Sequence, residues 1–455
     1  MLKKTKIICS IGPASLQKGI LQKMFQEGMN GVRINAAYGT LSQYKLIIDN
    51  IRKTADIPII IDIKGPEIRL RAKQKKITKK GDILKIGFKN EEINFNHDFY
   101  DGMSKDDEVY IDNGKIKTQV IEKKDGILSL LVMNNGEIDD GKGVNIPNKN
   151  FSIPTLSMRD LEIIEFTKEN KLEFIALSFT RNVQDIQNLK SKAKGEIIAK
   201  IENAEGLKNF KEILDAVEYV MIARGDLGVE IKPENVPLAQ KSIIRLCNQK
   251  GKTVVTATEM LESMIYQPNP TRAEVSDVAN AILDGTDVMM LSGETSIGQY
   301  PVEAVSMMSR IAKETEKAVK SNVKNGKFIS ISDTISKSIK SVCQSMLIDK
   351  IVTLTRSGYT AKMISRFKIL QPIIAVTPEK KVKNHLELVF GVYPINIDYN
   401  NEKDRIMFVA NRLRTIGLIN DEDNVLFTAA VRTRTKHASN LIEIHNIKEL
   451  MDFAS

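Results

Sequence analysis

The chain has 455 residues, of which 42% are hydrophobic and 27% are charged, an ordinary globular composition with room for about two to four domains. No apolar run is long enough to span a bilayer, so we expect no membrane role. Residues Met1–Lys4 lead directly into a predicted strand and lack the apolar core of a secretion signal. We therefore expect a cytoplasmic protein.

The net charge of +10 does not by itself predict nucleic-acid binding. The lysines are spread along the chain with few aromatic neighbours, so a base-stacking platform is not expected. Cys9, Cys247 and Cys343 are far apart and lack metal-ligand spacing, which predicts reduced thiols. The basic balance instead fits anionic small-molecule substrates or a lysine-rich proteome.

The amino-terminal part of the chain alternates apolar runs with amphipathic segments. Gly12-Pro13 closes the first run, and Gly28 ends the first amphipathic segment. The pattern predicts strands and helices over Lys6–Ile11 (strand), Leu16–Gly28 (helix), Gly31–Asn35 (strand), Leu41–Arg52 (helix) and Pro58–Ile63 (strand).

The pattern changes from about Leu70 to Pro147. Short alternating runs are separated there by Gly81-Asp82, Asp125-Gly126 and Asn135-Gly136, which are hairpin signals. We therefore predict a small β-barrel domain that interrupts the α/β pattern.

The α/β pattern resumes at Met158. It predicts strands over Phe174–Phe179, Ile197–Ile201, Tyr219–Ala223, Thr253–Ala257 and Asp287–Leu291, and helices over Ala204–Leu214, Leu238–Lys250, Arg272–Leu283 and Val302–Val319. Together with the first three strands this makes eight strands alternating with helices, the pattern of a closed (β/α)8 TIM barrel.

Three charged residues follow two neighbouring predicted strands. Residue alternation places Lys200 and Glu202 on the same side of one strand end, and Asp226 follows the end of the next. Two carboxylates suit Mg²⁺, and an ammonium beside them would neutralise a moving anionic group. The alternative is a surface salt-bridge cluster, but Gly225 and Gly228 beside the aspartate favour close approach to a ligand.

Active sites of such barrels lie at the carboxyl ends of the strands. Polar residues recur at nearly every predicted strand end after the first: Arg33, Asn35, Asp62, Lys64, Ser178, Lys200, Glu202, Arg224, Asp226, Thr258, Ser292 and Glu294. One polar strand end means little, but their convergence at one mouth favours catalysis.

A linker-like segment, Ser321–Lys327, precedes a third unit that we predict to be an open-sheet α/β domain. It contains a predicted helix over Ile335–Met346 and predicted strands over Lys350–Leu354, Pro372–Val376, Val392–Ile395 and Asn424–Phe427. The segment Thr355–Thr360 follows the first of these strands and precedes a helix. It fits either a phosphate-binding loop or a plain turn with a capped helix.

Several motifs together resemble the pyruvate kinase family over nearly the whole chain. They are Thr5–Ser15, Asp62–Arg69, Lys142–Pro147, Lys200–Gly206, Met221–Gly228, Ala257–Met264, Pro270–Gly285 and Met290–Thr295. The resemblance implies a barrel with an inserted β-domain and a carboxyl-terminal α/β domain. It also implies transfer of a phosphoryl group from phosphoenolpyruvate to ADP, and assembly as a homotetramer.

The resemblance also implies roles for single residues. Glu202 and Asp226 would hold Mg²⁺, and backbone N–H groups of Gly225 and Asp226 would bind the substrate carboxylate. Lys200 would stabilise the transferring phosphoryl group, Arg33 would hold the phosphate, and Thr258 would lie near the carbon that gains a proton. The residues expected to contact nucleotide are Asn35, Arg69 and Lys142.

One departure from the family concerns a K⁺ site. The family commonly has serine, a K⁺ ligand, where this chain has Ala37, whereas Glu67 occupies the position at which glutamate accompanies K⁺ dependence. Asn35, Asp62 and the carbonyl of Ile63 remain as ligands. We therefore predict a monovalent-cation site with altered ligation.

Two further departures concern the nucleotide and the effector. Ile297 stands where lysine is frequent, so one nucleotide contact is expected to be missing. Relatives activated by a sugar bisphosphate tend to carry a glycine-rich loop that is replaced here by a basic segment, with Arg432, Arg434 and Lys436, which would bind a phosphorylated effector or be solvated. The other loop, with the candidate effector residues Thr355, Arg356, Ser357, Gly358 and Thr360, is retained.

We predict four segments: 1–69, the first part of the barrel; 70–147, the inserted lid domain; 148–325, the second part with the active site; and 326–455, the carboxyl-terminal domain. A different Mg²⁺-dependent barrel acting on pyruvate or phosphoenolpyruvate, such as a lyase, remains an alternative. It would share the carboxylate pair but would not need Arg69, Lys142 or the insert. A degenerate, non-catalytic scaffold would require loss of a core residue.

Overall fold

The structure is a computed structural model that describes residues 3–17, 19–147, 149–321, 323, 330–430 and 439–454. Its amino-terminal part contains the predicted strands and helices: β1 (Lys6–Ser10), α1 (Ile20–Gln26), β2 (Gly31–Asn35), α2 (Leu41–Thr54) and β3 (Ile59–Ile63). Helix α1 is shorter than predicted, because Gly19 precedes it in the left-handed conformation with φ of 79°.

The inserted segment is built of short antiparallel strands. They are β4 (Leu70–Ala72), β5 (Lys76–Thr78), β6 (Ile83–Ile86), β7 (Ile93–Phe95), β8 (Glu108–Ile111), β9 (Ile116–Lys124), β10 (Ile127–Val132), β11 (Gly136–Ile138) and β12 (Val144–Asn145). They form one five-stranded sheet, β12-β8-β9-β10-β6, and two pairs, β11-β5 and β4-β7. The three sheets surround one apolar core that is separate from the barrel core, without one continuous ladder closing them.

The second part of the barrel completes the alternation. It comprises α3 (Met158–Glu169), β13 (Phe174–Leu177), α4 (Val183–Lys190), β14 (Glu196–Ile201), α5 (Ala204–Lys208), α6 (Phe210–Ala216), β15 (Tyr219–Ala223), α7 (Arg224–Glu230), α8 (Val236–Lys250), β16 (Thr253–Ala257), α9 (Arg272–Asp284), β17 (Val288–Leu291), α10 (Gly293–Ser296) and α11 (Pro301–Thr315). The single helix predicted over 204–214 is two helices, because the backbone leaves the helical conformation at Asn209.

The eight strands β1, β2, β3 and β13 to β17 close into the predicted parallel barrel, with β1 paired to both β2 and β17. Apolar runs such as Ile59–Ile63 are fully buried because the interior and the surrounding helices cover both faces. All carboxyl ends lie at one mouth, and every predicted site residue of the barrel lies on or just after a strand end.

The carboxyl-terminal domain is an open sheet with helices. Its elements are α12 (Ile331–Ser345), β18 (Lys350–Leu354), α13 (Tyr359–Ser365), β19 (Ile373–Thr377), α14 (Lys380–Leu386), β20 (Val392–Asn396), α15 (Arg405–Thr415), β21 (Asn424–Ala429), β22 (Leu441–Asn446) and α16 (Ile447–Ala454). The sheet order is β20-β19-β18-β21-β22, and only β22 is antiparallel to its neighbour. Neither β22 nor α16 was predicted. Only Ser321 and Val323 of the predicted linker are described.

The carboxyl-terminal domain covers the amino-terminal end of the barrel. Leu388 joins the apolar cluster inside the barrel, and the Tyr219 hydroxyl donates to the carbonyl of His385 at 2.9 Å. Lys368 forms a buried ion pair with Asp287 at 2.6 Å. Since this end is covered, the opposite mouth is the side from which a solute can reach the strand ends. Within the described residues no helix is long and apolar enough to cross a membrane.

Candidate active site

Lys200 lies at the centre of the barrel mouth and is buried. Its Nζ lies 3.0 Å from Glu202 Oε1, 3.0 Å from Asp62 Oδ2 and 2.7 Å from Ser178 Oγ. The strand period explains the first contact, because residues two apart on β14 project to the same side. Burial lowers the pKa of Lys200, but Asp62 and Glu202 outweigh it and hold the pKa above its usual range. The ammonium is therefore charged at neutral pH.

Arg33 approaches the same carboxylate from β2. Its Nε and Nη2 each lie 2.7 Å from Asp62 Oδ2, and its Nη1 donates to Ser10 Oγ at 3.0 Å. Burial raises the pKa of Asp62, but Lys200 and Arg33 outweigh it and hold the pKa below its usual range. Asp62 thus positions two cations side by side, which creates a site for an anion.

The predicted metal pair, Glu202 and Asp226, carries negative charge that Lys200 compensates only in part. Burial and the charge of Asp226, opposed by Lys200, raise the pKa of Glu202 to about 7. The pKa of Asp226, in the first turn of α7, is also raised by burial, with Lys200 opposing. A divalent cation would relieve this repulsion, and Mg²⁺ accepts one or two carboxylates with water and substrate oxygens completing its shell. The pair therefore fits Mg²⁺. No group of three or more His, Cys, Asp and Glu side chains suited to a metal occurs among the described residues.

The loop after β14 is held by local contacts that orient Glu202. Glu202 Oε2 accepts a hydrogen bond of 2.6 Å from the backbone N–H of Phe179. Asn203 caps the next helix by accepting from Gly206 N–H at 2.7 Å. A Cβ on Gly206 would collide with the carbonyl oxygen of Thr180, so only glycine allows this close approach.

Thr258 follows β16 with a φ of 67°, in the left-handed region that a β-branched residue rarely adopts. Its hydroxyl donates to the carbonyl of Ala257 at 2.6 Å and accepts from Gly225 N–H at 2.9 Å. The Arg224 guanidinium donates to the carbonyls of Thr258 and Glu259 at 2.7 and 2.9 Å, which holds this strained turn. We had identified Arg224 only as a polar strand end.

Ser178 is a second residue whose role the sequence analysis missed. Its hydroxyl donates to Asp62 Oδ1 at 3.1 Å and accepts from Lys200 at 2.7 Å. It therefore bridges the lysine and the aspartate within the cation cluster. Its position at a strand end was the available signal, but serine is too common there to be selected without coordinates.

The two cations that are predicted to contact nucleotide lie where the insert joins the barrel. Arg69 forms an ion pair of 2.8 Å with Glu67 and donates to the carbonyl of Gly141 at 2.6 Å. Lys142 lies 3.0 Å from Asp112. The carbonyl of Lys142 accepts from Leu70 N–H at 2.9 Å, so the strands that enter and leave the insert bring the two cations together. Ile297, at the end of α10, is exposed.

The predicted K⁺ ligands come from neighbouring strands, and each of them already accepts a hydrogen bond from the protein. Asn35 and Asp62 are paired positions on β2 and β3. Asn35 Oδ1 accepts from Ala37 N–H at 3.1 Å, and the carbonyl of Ile63 accepts from Ser178 N–H at 3.2 Å. Both Asp62 oxygens accept from Lys200. Ala37 supplies no side-chain oxygen, so these groups fit a monovalent cation only in part.

The predicted effector loop lies between β18 and α13, and its side chains have internal partners. Thr355 Oγ1 accepts from Gly358 N–H at 3.0 Å, and the Thr360 and Ser439 hydroxyls lie 2.7 Å apart. Arg356 is hydrogen-bonded to Asn400, and Gly358 has a φ of 78°. Arg432, Arg434 and Lys436 lie outside the described residues.

The fold and the site define a class of barrel enzyme, in which an ammonium, a guanidinium and two carboxylates converge at the mouth beside an inserted β-domain. Comparison with known proteins gives the family. The models "Pyruvate kinase, barrel domain" and "Pyruvate kinase, alpha/beta domain" match residues 2–305 and 333–445. The chain belongs to the pyruvate kinase family, as its motifs predict.

Curated relatives agree over nearly the whole chain. A pyruvate kinase of Geobacillus stearothermophilus is 39% identical, covering 99% of this chain and 81% of that protein. One of Sporosarcina psychrophila is 38% identical with the same coverage. One of Thermococcus litoralis is 40% identical, covering 93% of this chain and 94% of that protein. The family generally uses Mg²⁺ and K⁺.

Proposed function

We propose that the protein transfers the phosphoryl group of phosphoenolpyruvate to ADP, which yields pyruvate and ATP in the last step of glycolysis. The observation that carries the proposal is the buried Lys200 ammonium, held at the barrel mouth by Asp62 and Ser178 beside the Glu202–Asp226 carboxylate pair. Phosphoryl transfer requires positioning and charge neutralisation more than covalent chemistry by the protein. This cluster is suited to both.

Arg33 and Lys200 would have different roles in binding the anionic substrate. Arg33 is partly exposed at the mouth and is oriented by Asp62 and Ser10, so its guanidinium would hold the phosphate. Lys200 lies deeper and would neutralise the charge that develops on the phosphoryl group as it moves. Because Asp62 fixes both side chains, no reorganisation is needed when the charge moves.

Glu202 and Asp226 would hold Mg²⁺. When bound, Mg²⁺ would neutralise phosphoryl and carboxylate oxygens and the negative charge left on the organic product. Lys200 also contacts Glu202, so one of the two proposed metal ligands is paired directly with the ammonium. We assign no step to K⁺, since its expected donors are largely occupied.

The carbon end of the substrate would lie near β15 and β16. Backbone N–H groups of Gly225 and Asp226 would bind the substrate carboxylate, in which case Gly225 N–H would exchange its bond to Thr258 for one to substrate. The Thr258 hydroxyl would then keep its bond to the Ala257 carbonyl and lie beside the carbon that gains a proton.

Arg69 and Lys142 would bind the phosphates of ADP, with Asn35 at the same side of the mouth. Both cations have carboxylate partners, Glu67 and Asp112, which an anionic nucleotide would replace or join. The insert, which we place at residues 70–147 between barrel segments 1–69 and 148–325, would close over the mouth and exclude water.

Pyruvate formation measured with and without ADP tests the proposal. We expect Mg²⁺-dependent conversion of phosphoenolpyruvate to pyruvate only when ADP is present, with one ATP formed for each pyruvate. Pyruvate release at the same rate without ADP would favour the lyase alternative. Absence of pyruvate under both conditions, with the protein folded, would leave a non-catalytic scaffold.

Assembly, location and regulation remain proposals of the same kind. We infer a cytoplasmic homotetramer, which light scattering of the purified protein would check. Segment 326–455 would be the regulatory domain, with Thr355, Arg356, Ser357, Gly358 and Thr360 as the effector loop.

A further inference from the structure

Glu230, in the last turn of α7, connects three parts of the protein. It lies four residues after Asp226, so one turn of helix separates the two carboxylates. Its Oε1 accepts a hydrogen bond of 2.8 Å from Asn145 Nδ2, and the backbone N–H of Ala204, two residues after Glu202, lies close enough to lower the pKa of its carboxyl. One side chain thus contacts the insert and lies beside the loop that carries one metal ligand, from the helix that carries the other.

Asn145 is the contribution of the insert to this contact. It is 3% exposed and lies on β12, opposite Tyr110 of β8. The residue before it, Val144, donates its N–H to the carbonyl of Ile68 at 2.8 Å. Asn145 therefore lies where the strands that enter and leave the insert run side by side, and its pairing with Tyr110 joins it to the five-stranded sheet of the insert.

The insert also comes close to α7 at a second point, the turn between β8 and β9. Gly114 lies there, and a Cβ built on it would be 3.5 Å from Val229 Cγ1. The same turn contains Asp112, the partner of Lys142. The turn that holds Lys142 therefore lies beside α7.

The Asn145–Glu230 contact is partly buried, with Asn145 the more buried partner, so its loss has a cost. Burial raises the pKa of Glu230, and the hydrogen bond from Asn145 and the nearby Ala204 N–H oppose that shift. An acceptor buried without its donor loses both the bond and its hydration. The carboxylate is therefore stabilised when the insert holds Asn145 against it.

We propose that Asn145 and Glu230 form a latch that holds the inserted domain closed against the helix carrying Asp226. Both are positioning residues, because neither touches the reacting atoms. With the latch made, Lys142 on the insert and the carboxylates on the barrel keep one relative arrangement. The kinetic part of this inference rests on the proposed function, whereas the latch itself is a contact that can be tested without turnover.

Hydrogen–deuterium exchange of the full-length protein tests the latch directly. Asn145→Asp places two carboxylates opposite each other, so exchange in the turn over 110–116 should rise about tenfold, the worth of one partly buried hydrogen bond to a charged group. Asn94→Ala serves as a control, since the Asn94 side chain hydrogen-bonds to the backbone of Glu91 inside the insert. The control should leave exchange in that turn unchanged, and equal exchange in both variants would overturn the proposal.

Reversing the polarity of the contact provides the second test. In the double variant Asn145→Asp with Glu230→Gln, the new amide can donate to the new carboxylate. We expect the double variant to regain at least about half of the lost protection. Protection that falls further than in Asn145→Asp alone would show that the two side chains act separately and would overturn the latch. A melting temperature measured for each variant identifies any that fails to fold. If one does, Glu230→Gln alone is compared with the wild type. Its amide carbonyl still accepts a hydrogen bond from Asn145, so protection of the turn should be retained.

Kinetics add a readout that a purely structural role would not change in this way. Asn145→Asp should raise the KM for ADP and lower kcat about tenfold, while the KM for phosphoenolpyruvate changes less than about twofold. Equal effects on both substrates would overturn the assignment to the nucleotide side. If the wild type forms no pyruvate from phosphoenolpyruvate and ADP, the proposed function fails while the exchange experiment still decides the latch.

Discussion

Lys200 and Glu202, separated by one residue at the end of β14, form a buried ion pair with 3.0 Å between Nζ and Oε1. Lys200 is expected to stabilise the moving phosphoryl group, and Glu202 is expected to be a ligand of Mg²⁺. A buried pair of this kind is seldom retained for stability alone, because desolvation offsets the attraction. Its position at the barrel mouth therefore argues for a chemical role.

Lys200→Met should abolish phosphoryl transfer. The variant keeps the length of the side chain but removes the ammonium, so we expect ADP-dependent pyruvate formation to fall by at least roughly 10³-fold with the fold intact. Turnover is measured with a coupled assay and the fold by circular dichroism. Lys362→Met is a matched control, because Lys362 is also buried and paired, with Glu218 at the covered end of the barrel. Near wild-type turnover in Lys200→Met would refute the assigned role.

Mg²⁺ should stabilise the protein more at pH 8 than at pH 6. The pKa of Glu202 is raised from 4.5 to about 7, mainly by burial. This carboxyl contributes stability that is fully present below about pH 4.5 and is lost as the pH rises through about 7. Mg²⁺ competes with the proton, so its affinity should fall about tenfold per unit below pH 7. Melting temperatures with and without Mg²⁺ measure this difference.

Two substitutions separate this linkage from a general effect of pH. Glu202→Gln should remove the Mg²⁺-induced rise in melting temperature at both pH values. Glu218→Gln, at the covered end of the barrel, should leave it unchanged. A Mg²⁺ effect that is independent of pH, or that survives Glu202→Gln, would contradict the assignment of Glu202 as a ligand.

The strand period explains why much of this site could be predicted from the sequence. Alternation placed Lys200 and Glu202 together, and the eight-strand count placed Arg33, Asp62 and Thr258 at the same mouth. These inferences need only short-range spacing and one rule for the barrel, and in the structure Lys200 contacts Glu202 and Asp62, which in turn contacts Arg33.

Contacts between domains could not be predicted in this way. Leu388 enters the barrel interior and Asn145 reaches Glu230, and nothing in the local spacing of either residue indicates its partner. The strand β22 was missed because Glu443 and His445 interrupt its apolar residues. Its half-buried pairing with β21 depends on the fold of the whole domain.

Restoring the missing hydroxyl should strengthen monovalent-cation activation. Ala37→Ser adds one oxygen beside Asn35 and Asp62, so the KCl concentration for half-maximal activity should fall by roughly threefold or more, the worth of one polar contact. Activity is titrated with KCl in a buffer of a large organic cation. Ala37→Gly adds no oxygen and serves as the control. Full activity of the wild type without any monovalent cation would show that no such site operates.

Fructose 1,6-bisphosphate should not activate this protein as it does relatives with a glycine-rich partner loop. The Thr360 hydroxyl is paired with Ser439 and the Thr355 hydroxyl with Gly358 N–H, so phosphate binding would have to break internal bonds. We expect the dependence of rate on phosphoenolpyruvate concentration to be the same with and without the bisphosphate. A lower half-saturating concentration that Arg356→Ala abolishes would contradict this expectation and show that the bisphosphate is an effector that binds at this loop. Activation that survives Arg356→Ala would place the effector elsewhere, because a phosphate at this loop would lie beside the guanidinium that now bonds Asn400.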